Sequence, residues 1–250
     1  MKAKIIVLIL ALVTPAKHYA QRVINESIAV KSGETLSMHF DYPKLVRVSS
    51  WDGNEISIQG TVSINGGEND DAFILENNKS ENVISVRSEI RDLKKLPQRI
   101  TIVDEGKKIM FRDEAELRKY QAENGRTYQR MSWGPDIDIQ LEVKVPRNMA
   151  TNITSVYGMV EVQNFSGPLT VEAIYGGVDA SLTEKSIGEI TAETNYGQIY
   201  TNLDVAFTGD KVTSRDFYTF VSAKPGQGPH YSFESKYGNV YLRKTSTVSR

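Results

Sequence analysis

Tyr157-Gly158-Met159-Val160 recurs as Tyr175-Gly176-Gly177-Val178, Tyr196-Gly197-Gln198-Ile199 and Tyr237-Gly238-Asn239-Val240. The tyrosines stand 18, 21 and 41 residues apart, and the last step is close to two of the others. Val212 to Val221 fills that gap as a degenerate copy, with Tyr218 aligned on Tyr196 and Thr219 in place of the glycine. A period of about 20 residues predicts a repeat architecture, whose units bury their apolar faces only against one another.

Within each copy, apolar or small residues stand six, four and two places before the tyrosine. They are Leu169, Val171 and Ala173 in one copy, Ile190, Ala192 and Thr194 in another, and Tyr231, Phe233 and Ser235 in the last. After the tyrosine the inward set moves to the third and fifth places, as in Val178 with Ala180 and Ile199 with Thr201. Alternation at period two is the pattern of a strand with one buried face. The change of parity across Tyr-Gly predicts a bend there, with glycine supplying backbone freedom. The expected fold is all-β: a β-solenoid, or single-stranded β-helix, of coils of about 20 residues carrying one short helical insertion.

Two outward columns follow from stacking such coils. Three places before the tyrosine stand Thr154, Glu172, Glu193, Arg215 and Glu234. With Arg215 between Glu193 and Glu234, that column reads as a charged ladder on a solvated face rather than a cation site. The second column is aromatic: Tyr157, Tyr175, Tyr196 and Tyr237, extended by Tyr200 and Tyr241 four residues past their corners. An exposed aromatic stripe suits a sugar or protein ligand, and stacked tyrosines also stabilise a solenoid without one.

Composition narrows the classes. The 250 residues are 40% hydrophobic and 24% charged, with a net charge of −1. There are no cysteines, which removes disulfides, thiolate metal sites and a cysteine nucleophile. No basic patch suggests nucleic acid. Residues 1–20 read as a signal peptide, with Lys2 and Lys4 before an apolar run from Ile5 to Val13 that is too short to span a bilayer. Cleavage is expected after Ala20, or after Thr14-Pro15-Ala16, and the mature chain has no apolar stretch of transmembrane length. Loss of Lys2, Lys4 and Lys17 leaves 27 basic against 31 acidic residues, a net of −4.

The chain then divides into an N-terminal β-strand region (21–103), a polar helical insertion (104–134), regular solenoid repeats (135–245) and a tail (246–250). In the first region Tyr42-Pro43 reads as a break, and Trp51-Asp52-Gly53-Asn54 as the corner of a diverged early coil. Asn65 to Asp71 reads as a polar hairpin loop, its acids lacking EF-hand spacing. In the insertion Asp113 and Glu116 form a helix start, Leu117 and Tyr120 its apolar stripe, and Asn124-Gly125 its stop. That excursion serves as a partner contact, an edge decoration or an end cap. Ile137, Ile139, Leu141, Val143 and Val145 alternate with polar residues in the clearest strand of all.

The stretch from Ile139 to Leu203 carries a family resemblance. A strand ending in Val145-Pro146, an Asn-containing turn, and Ser/Thr-x-Tyr-Gly-x-Val units separated by Gly167 and Gly188 resemble the DUF4097 family, whose members are provisionally described as adhesins and are frequent in exported proteins of Bacteroidetes. The resemblance covers about half the chain. It implies a β-helix-like fold with no catalytic residues to transfer. The family usually has Gly-Asp-Val or Gly-Asp-Ile at the corner, whereas this chain has Met159, Gly177, Gln198 and Asn239 in that place, which argues against a cation-binding ladder.

No catalytic constellation is legible, so the expectation is a protein that is not an enzyme and uses no cofactor or metal. His39 and His230 stand far apart in sequence, and Asp70, Asp71, Asp136 and Asp138 have turn or outward-facing explanations. The expected function is an adhesin-like protein exported to the periplasm or cell surface, binding a polysaccharide or a cell-envelope protein through its solenoid face. The alternatives are a polysaccharide-active β-helix enzyme and an envelope sensor or scaffold.

Overall fold

The structure, a computed structural model, describes residues 21–207, 213–215 and 217–245, so residues 1–20 lie outside the described residues. Its first strands are β1 (Arg22–Ala29), β2 (Thr35–Phe40), β3 (Leu45–Trp51), β4 (Glu55–Ile64), β5 (Phe73–Ser80) and β6 (Val83–Ile90). The insertion supplies β7 (Arg99–Asp104), β8 (Lys107–Phe111), α1 (Glu114–Asn124) and β9 (Met131–Gly134). Next come β10 (Ile137–Pro146), β11 (Thr151–Ser155), β12 (Met159–Gln163), β13 (Leu169–Ala173), β14 (Val178–Leu182), β15 (Glu189–Thr194) and β16 (Ile199–Thr201). The last are β17 (Thr213–Arg215), β18 (Tyr218–Ala223), β19 (His230–Ser235) and β20 (Val240–Lys244).

These strands form two large sheets around one core, and a small third sheet. The first runs β1-β4-β10-β3-β12-β14-β20-β16, the second β17-β18-β15-β19-β13-β11-β2-β6-β5, and the third β8-β7-β9. The inward positions read from the alternation are the buried ones: Leu169, Val171, Ala173, Ile190, Ala192, Tyr231, Phe233, Val178 and Ala180 are at most 1% exposed. At about 25 cal/mol per Å² of apolar surface removed from water, these side chains are the main source of cohesion between the sheets. Ile199 and Thr201 depart from the pattern, Ile199 half-buried and Thr201 exposed, because β16 ends its sheet.

Each Tyr-Gly corner carries the chain from a strand of the second sheet to its counterpart in the first. The middle of both sheets is parallel and in register: β2, β11, β13, β19 and β15 on one side, β3, β12, β14, β20 and β16 on the other. One end of the first sheet is antiparallel, through β1, β4 and β10, and so are both ends of the second, through β5 on β6 and through β17 and β18. The sheets are therefore mixed, and a single-stranded β-helix of sequential coils does not describe them.

The order of the coils is the larger correction. The last coil, β19 with β20, lies between the coil of β13 and β14 and that of β15 and β16. The degenerate copy around Tyr218 is no coil: β18 runs antiparallel to β15 and β17 antiparallel to β18. The early coil turns at Tyr42-Pro43 rather than at Trp51-Asp52-Gly53-Asn54, since β2 pairs with β11 and β3 with β12. Leu36, Met38 and Phe40 stand six, four and two places before Tyr42 and are buried, as in the later coils. At the Trp51 turn, the indole lies over Gly53 and its Nε1 donates to the carbonyl of Glu55 at 2.9 Å.

The Asn65–Asp71 segment is a crossover between the two large sheets and not a hairpin, because β4 and β5 belong to different sheets. Buried Asp70 accepts from the backbone nitrogens of Ile64 at 2.6 Å and Arg22 at 3.0 Å, so this acid ties the loop down. The insertion is more than a helix. Its sheet begins at Arg99 and shares with α1 a separate core of Ile100, Ile102, Phe111 and Leu117. The helix ends are as expected: Asp113 accepts from the backbone nitrogen of Glu116 at 2.9 Å, and Gly125 closes in the left-handed region at φ 62°.

Candidate functional site

The parallel register puts the five corner tyrosines in one row. Residues in equivalent places on neighbouring strands are about 4.8 Å apart, and the rings stack at nearly that spacing. Going along the row, Tyr42 lies 5.4 Å from Tyr157, Tyr157 5.2 Å from Tyr175, Tyr175 5.1 Å from Tyr237, and Tyr237 5.1 Å from Tyr196, with ring planes within 18° of parallel. Phe217 ends the row, tilted against Tyr196 at 5.7 Å. Four of the tyrosines are 53% to 61% exposed.

The residues around each tyrosine build the corner. At Tyr157, Tyr196 and Tyr237 a buried Ser or Thr two places before the tyrosine bonds the turn through its hydroxyl: Ser155 donates to the carbonyl of Gly158 at 3.2 Å, Thr194 to that of Gly238 at 2.9 Å and Ser235 to that of Gly176 at 2.9 Å. After every tyrosine of the row but Tyr42, which Pro43 follows, a glycine faces the backbone of the next corner. A Cβ on Gly158, Gly176, Gly238 or Gly197 would stand 1.9 Å from a carbonyl oxygen, of Pro43, Gly158, Gly176 and Gly238 respectively. Glycine is needed for this close approach, so the Tyr-Gly pair couples a ring stack to a backbone stack.

Tyr200 and Tyr241 do not extend this row. They form a second, shorter array on the outward face of β16 and β20, their rings 5.2 Å apart and 11° from parallel. The Arg243 guanidinium carbon lies 5.0 Å over the Tyr241 ring, and its Nε donates to both oxygens of Asp179 at 2.7 and 3.0 Å. Asp179 holds that guanidinium above its ordinary pKa, so it stays a cation. Asn239 donates from Nδ2 to the Tyr241 hydroxyl at 3.1 Å, and the Tyr200 hydroxyl donates to Gln198.

The two arrays differ in what they offer. In the long row the inner rings have both faces covered, Phe217 lies against the outer side of Tyr196, and half-buried Tyr42 ends the other side with one face on Tyr157. In the short array β16 is the last strand, so Tyr241 covers one face of Tyr200 and among the described residues no ring covers the other. Tyr200 is 46% exposed.

The glutamate column is also reordered. Glu172 pairs across to Glu234 and Glu234 to Glu193, with Arg215 outside the three. Lys236 bonds Glu172 at 2.5 Å, and the Tyr218 hydroxyl donates to Glu193 at 2.7 Å. Burial, and then the charges of Glu193 and Glu172, push the Glu234 carboxyl above the ordinary glutamate range. A carboxyl raised on folding favours the native state while it is protonated, and that advantage is lost as pH rises through the folded pKa. Glu234→Gln is therefore expected to stabilise the protein at pH 7 by up to about 1 kcal/mol, the range for like charges facing across strands. It should change little near pH 3.5, where folded and unfolded carboxyls are both largely protonated. Thermal unfolding at the two pH values checks this, and equal shifts at both would contradict it.

The remaining sequence candidates stay apart. His39 Nε2 meets Asp41 at 2.9 Å and His230 meets Glu189 at 3.5 Å, while Asp136 pairs with Lys108 and Asp138 with Lys44. Among the described residues no group of three or more His, Asp or Glu side chains is placed to hold a metal ion. The insertion has a polar knot that the sequence did not announce. Asp104 accepts from the hydroxyls of Tyr128 at 2.7 Å and Tyr120 at 3.0 Å and pairs with Arg126 at 3.1 Å. Burial and that bond to Asp104 push the Tyr128 phenol up to about 12, so it keeps its proton at neutral pH and acts as a donor.

No family model matches the sequence. No curated protein matches it either. Among solved structures, a provisionally named cell adhesion protein from Clostridium sporogenes ATCC 15579 aligns with a TM-score of 0.44 at 9% identity, over 90% of this chain and 100% of that one. A provisionally named adhesin from Bacteroides fragilis NCTC 9343 aligns with a TM-score of 0.22 at 12% identity, over 90% of this chain and 98% of that one. Neither likeness is close enough to bear on the function. No helix among the described residues is long and apolar enough to cross a membrane.

Proposed function

We propose that the chain is an exported, non-catalytic, adhesin-like binding protein of the cell envelope, taking a glycan on the outward aromatic residues of its parallel β-coils. One observation carries this reading: two sets of tyrosines are held outward in fixed stacks, with four rings of the long row more than half exposed. Rings already ordered lose little conformational entropy when a ligand arrives. The coiled arrangement of the Tyr-Gly section supports the solenoid-like character expected of it, and the Lys2 to Ala20 segment supports export.

The test is incubation of the form starting at Gln21 with a panel of bacterial and host polysaccharides, recording both retention and new reducing ends. Retention without release of new ends is the expected result. Release of new ends would overturn the non-catalytic reading, and retention on none of the panel would overturn the glycan reading.

A further inference from the structure

The polar insertion has its own core and no apolar continuity with the large sheets. Ile100, Ile102, Phe111 and Leu117 pack together, with Ile109, Tyr120 and Tyr128 against them. Among the described residues no side chain belongs to both this core and the larger one. The sheet β8-β7-β9 pairs with neither large sheet. Three strands packed on a helix meet the usual requirement for a β unit that holds together alone, so residues 99–134 can move as one body.

Two kinds of contact join that body to the rest. Buried Asn65 pins the joints. Its Nδ2 donates to the carbonyl of Pro97 at 3.0 Å, its backbone nitrogen to that of Asp136 at 2.7 Å, and its Oδ1 accepts from the Asp136 nitrogen at 2.8 Å. Pro97 and Pro135 flank the body at these joints, and Gly134 stands at φ 151°. Beyond the joints the contacts are ionic. Glu68 on the crossover accepts from Arg99 Nη2 at 2.5 Å and faces Arg112 Nη2 at 3.7 Å, and Lys108 pairs with Asp136. Met110, lying over Gly66, adds an apolar touch to this seam.

We infer that the insertion is a hinged arm, swinging on the joints at Pro97 and Pro135 and latched closed by Glu68. Arg99 decides it. The residue is 6% exposed, its Nη1 donates to the carbonyl of neighbouring Gln98, and its Nε has no partner among the described residues. Glu68 is its one partner across the seam among those residues. A buried cation needs a counter-charge, and water supplies the equivalent once the arm has swung out. The closed position therefore holds while Glu68 carries its charge, and loss of that charge drives the arm open. The side chains of Arg112 and Lys108 are exposed, so their pairs add less and are screened by salt. The arm carries exposed Met131 and Trp133 on β9, and the latch sets where these stand relative to the large sheets.

Spin labels test this, since the chain has no cysteine of its own. Lys119→Cys on α1 and Asn152→Cys on β11 place one label on each side of the seam, and double electron–electron resonance reads the distance between them. Glu68→Gln is expected to add a second distance, raising the open population about tenfold or more, the scale of one charge-assisted bond lost. Hydrogen exchange in β7, whose strand pairs with β8 and β9, should stay slow in the same variant. Raised salt, or Arg112→Ala with Lys108→Ala, spares the buried pair and should shift the population the same way by less. A distance unchanged by all three overturns the hinge. Fast exchange in β7 alongside the new distance means that the arm unfolds rather than swings, and overturns it as well. If Glu68→Gln fails to fold, the salt series and the double variant decide the matter on the same two readouts.

Discussion

Gly238→Ala is expected to cost the protein about 3 kcal/mol or more, enough to leave a domain of ordinary stability largely unfolded on mild heating. The added methyl would lie 1.9 Å from the carbonyl oxygen of Gly176, 2.6 Å from its carbon and 3.0 Å from the Ser235 hydroxyl. Two of those three atoms are backbone, so no flexible side chain can move aside. Retreat of the corner would break the bonds from the nitrogen of Tyr237 to the carbonyl of Ile174 (3.0 Å) and from the nitrogen of Val240 to that of Gln198 (3.0 Å). It would also part the Tyr237 ring from Tyr175 and Tyr196, where each aromatic pair is worth about 0.5–1.5 kcal/mol. Thermal unfolding followed by circular dichroism measures the loss, with Asn152→Ala on the outward face of β11 as a neutral comparison. A fall of only a few degrees for Gly238→Ala would show that the corners are not in contact.

Much of this arrangement was legible in local sequence. Alternation at period two gave the strands around Val171, Ile190 and Phe233 because one face of each is buried and the other wet. The parity change at Tyr-Gly marked the corners because only glycine fits beside the neighbouring carbonyl. Asp113 and Gly125 gave the helix ends because capping is settled within one turn. Each of these signals is decided by residues a few places apart.

What stayed hidden depends on residues far apart in the chain. A repeat period sets the size of a coil and not the order in which coils stack, so nothing local told that Tyr237 lies between Tyr175 and Tyr196. The wrong order in turn placed Arg215 among the glutamates and made the Tyr218 segment look like a coil. Tyr42-Pro43 reads as a break because Pro43 stands where the other corners have glycine, although Leu36, Met38 and Phe40 carry the full inward pattern. Of the six candidate tyrosines, four joined the long row, with Tyr42 as an unforeseen fifth member. The other two, Tyr200 and Tyr241, formed a separate array. Which ring faces other rings cover cannot be read from spacing.

The order of the rings in both arrays follows from β19 and β20 lying inside the sheets rather than at their end, and paired cysteines in this cysteine-free chain test that placement directly. Thr170 and Thr191 each face Ser232 across one strand spacing. That is about 4.8 Å and within the Cα separations a disulfide accepts. Thr170 and Thr191 themselves are separated by β19, roughly 10 Å apart and beyond that reach. Under mild oxidation, Thr170→Cys with Ser232→Cys, and Thr191→Cys with Ser232→Cys, are each expected to close a disulfide identifiable by peptide mass spectrometry, while Thr170→Cys with Thr191→Cys stays reduced. Closure of the Thr170–Thr191 pair with both Ser232 pairs open would put the coils in sequence order, with Tyr196 rather than Tyr237 next to Tyr175 and Tyr200 parted from Tyr241.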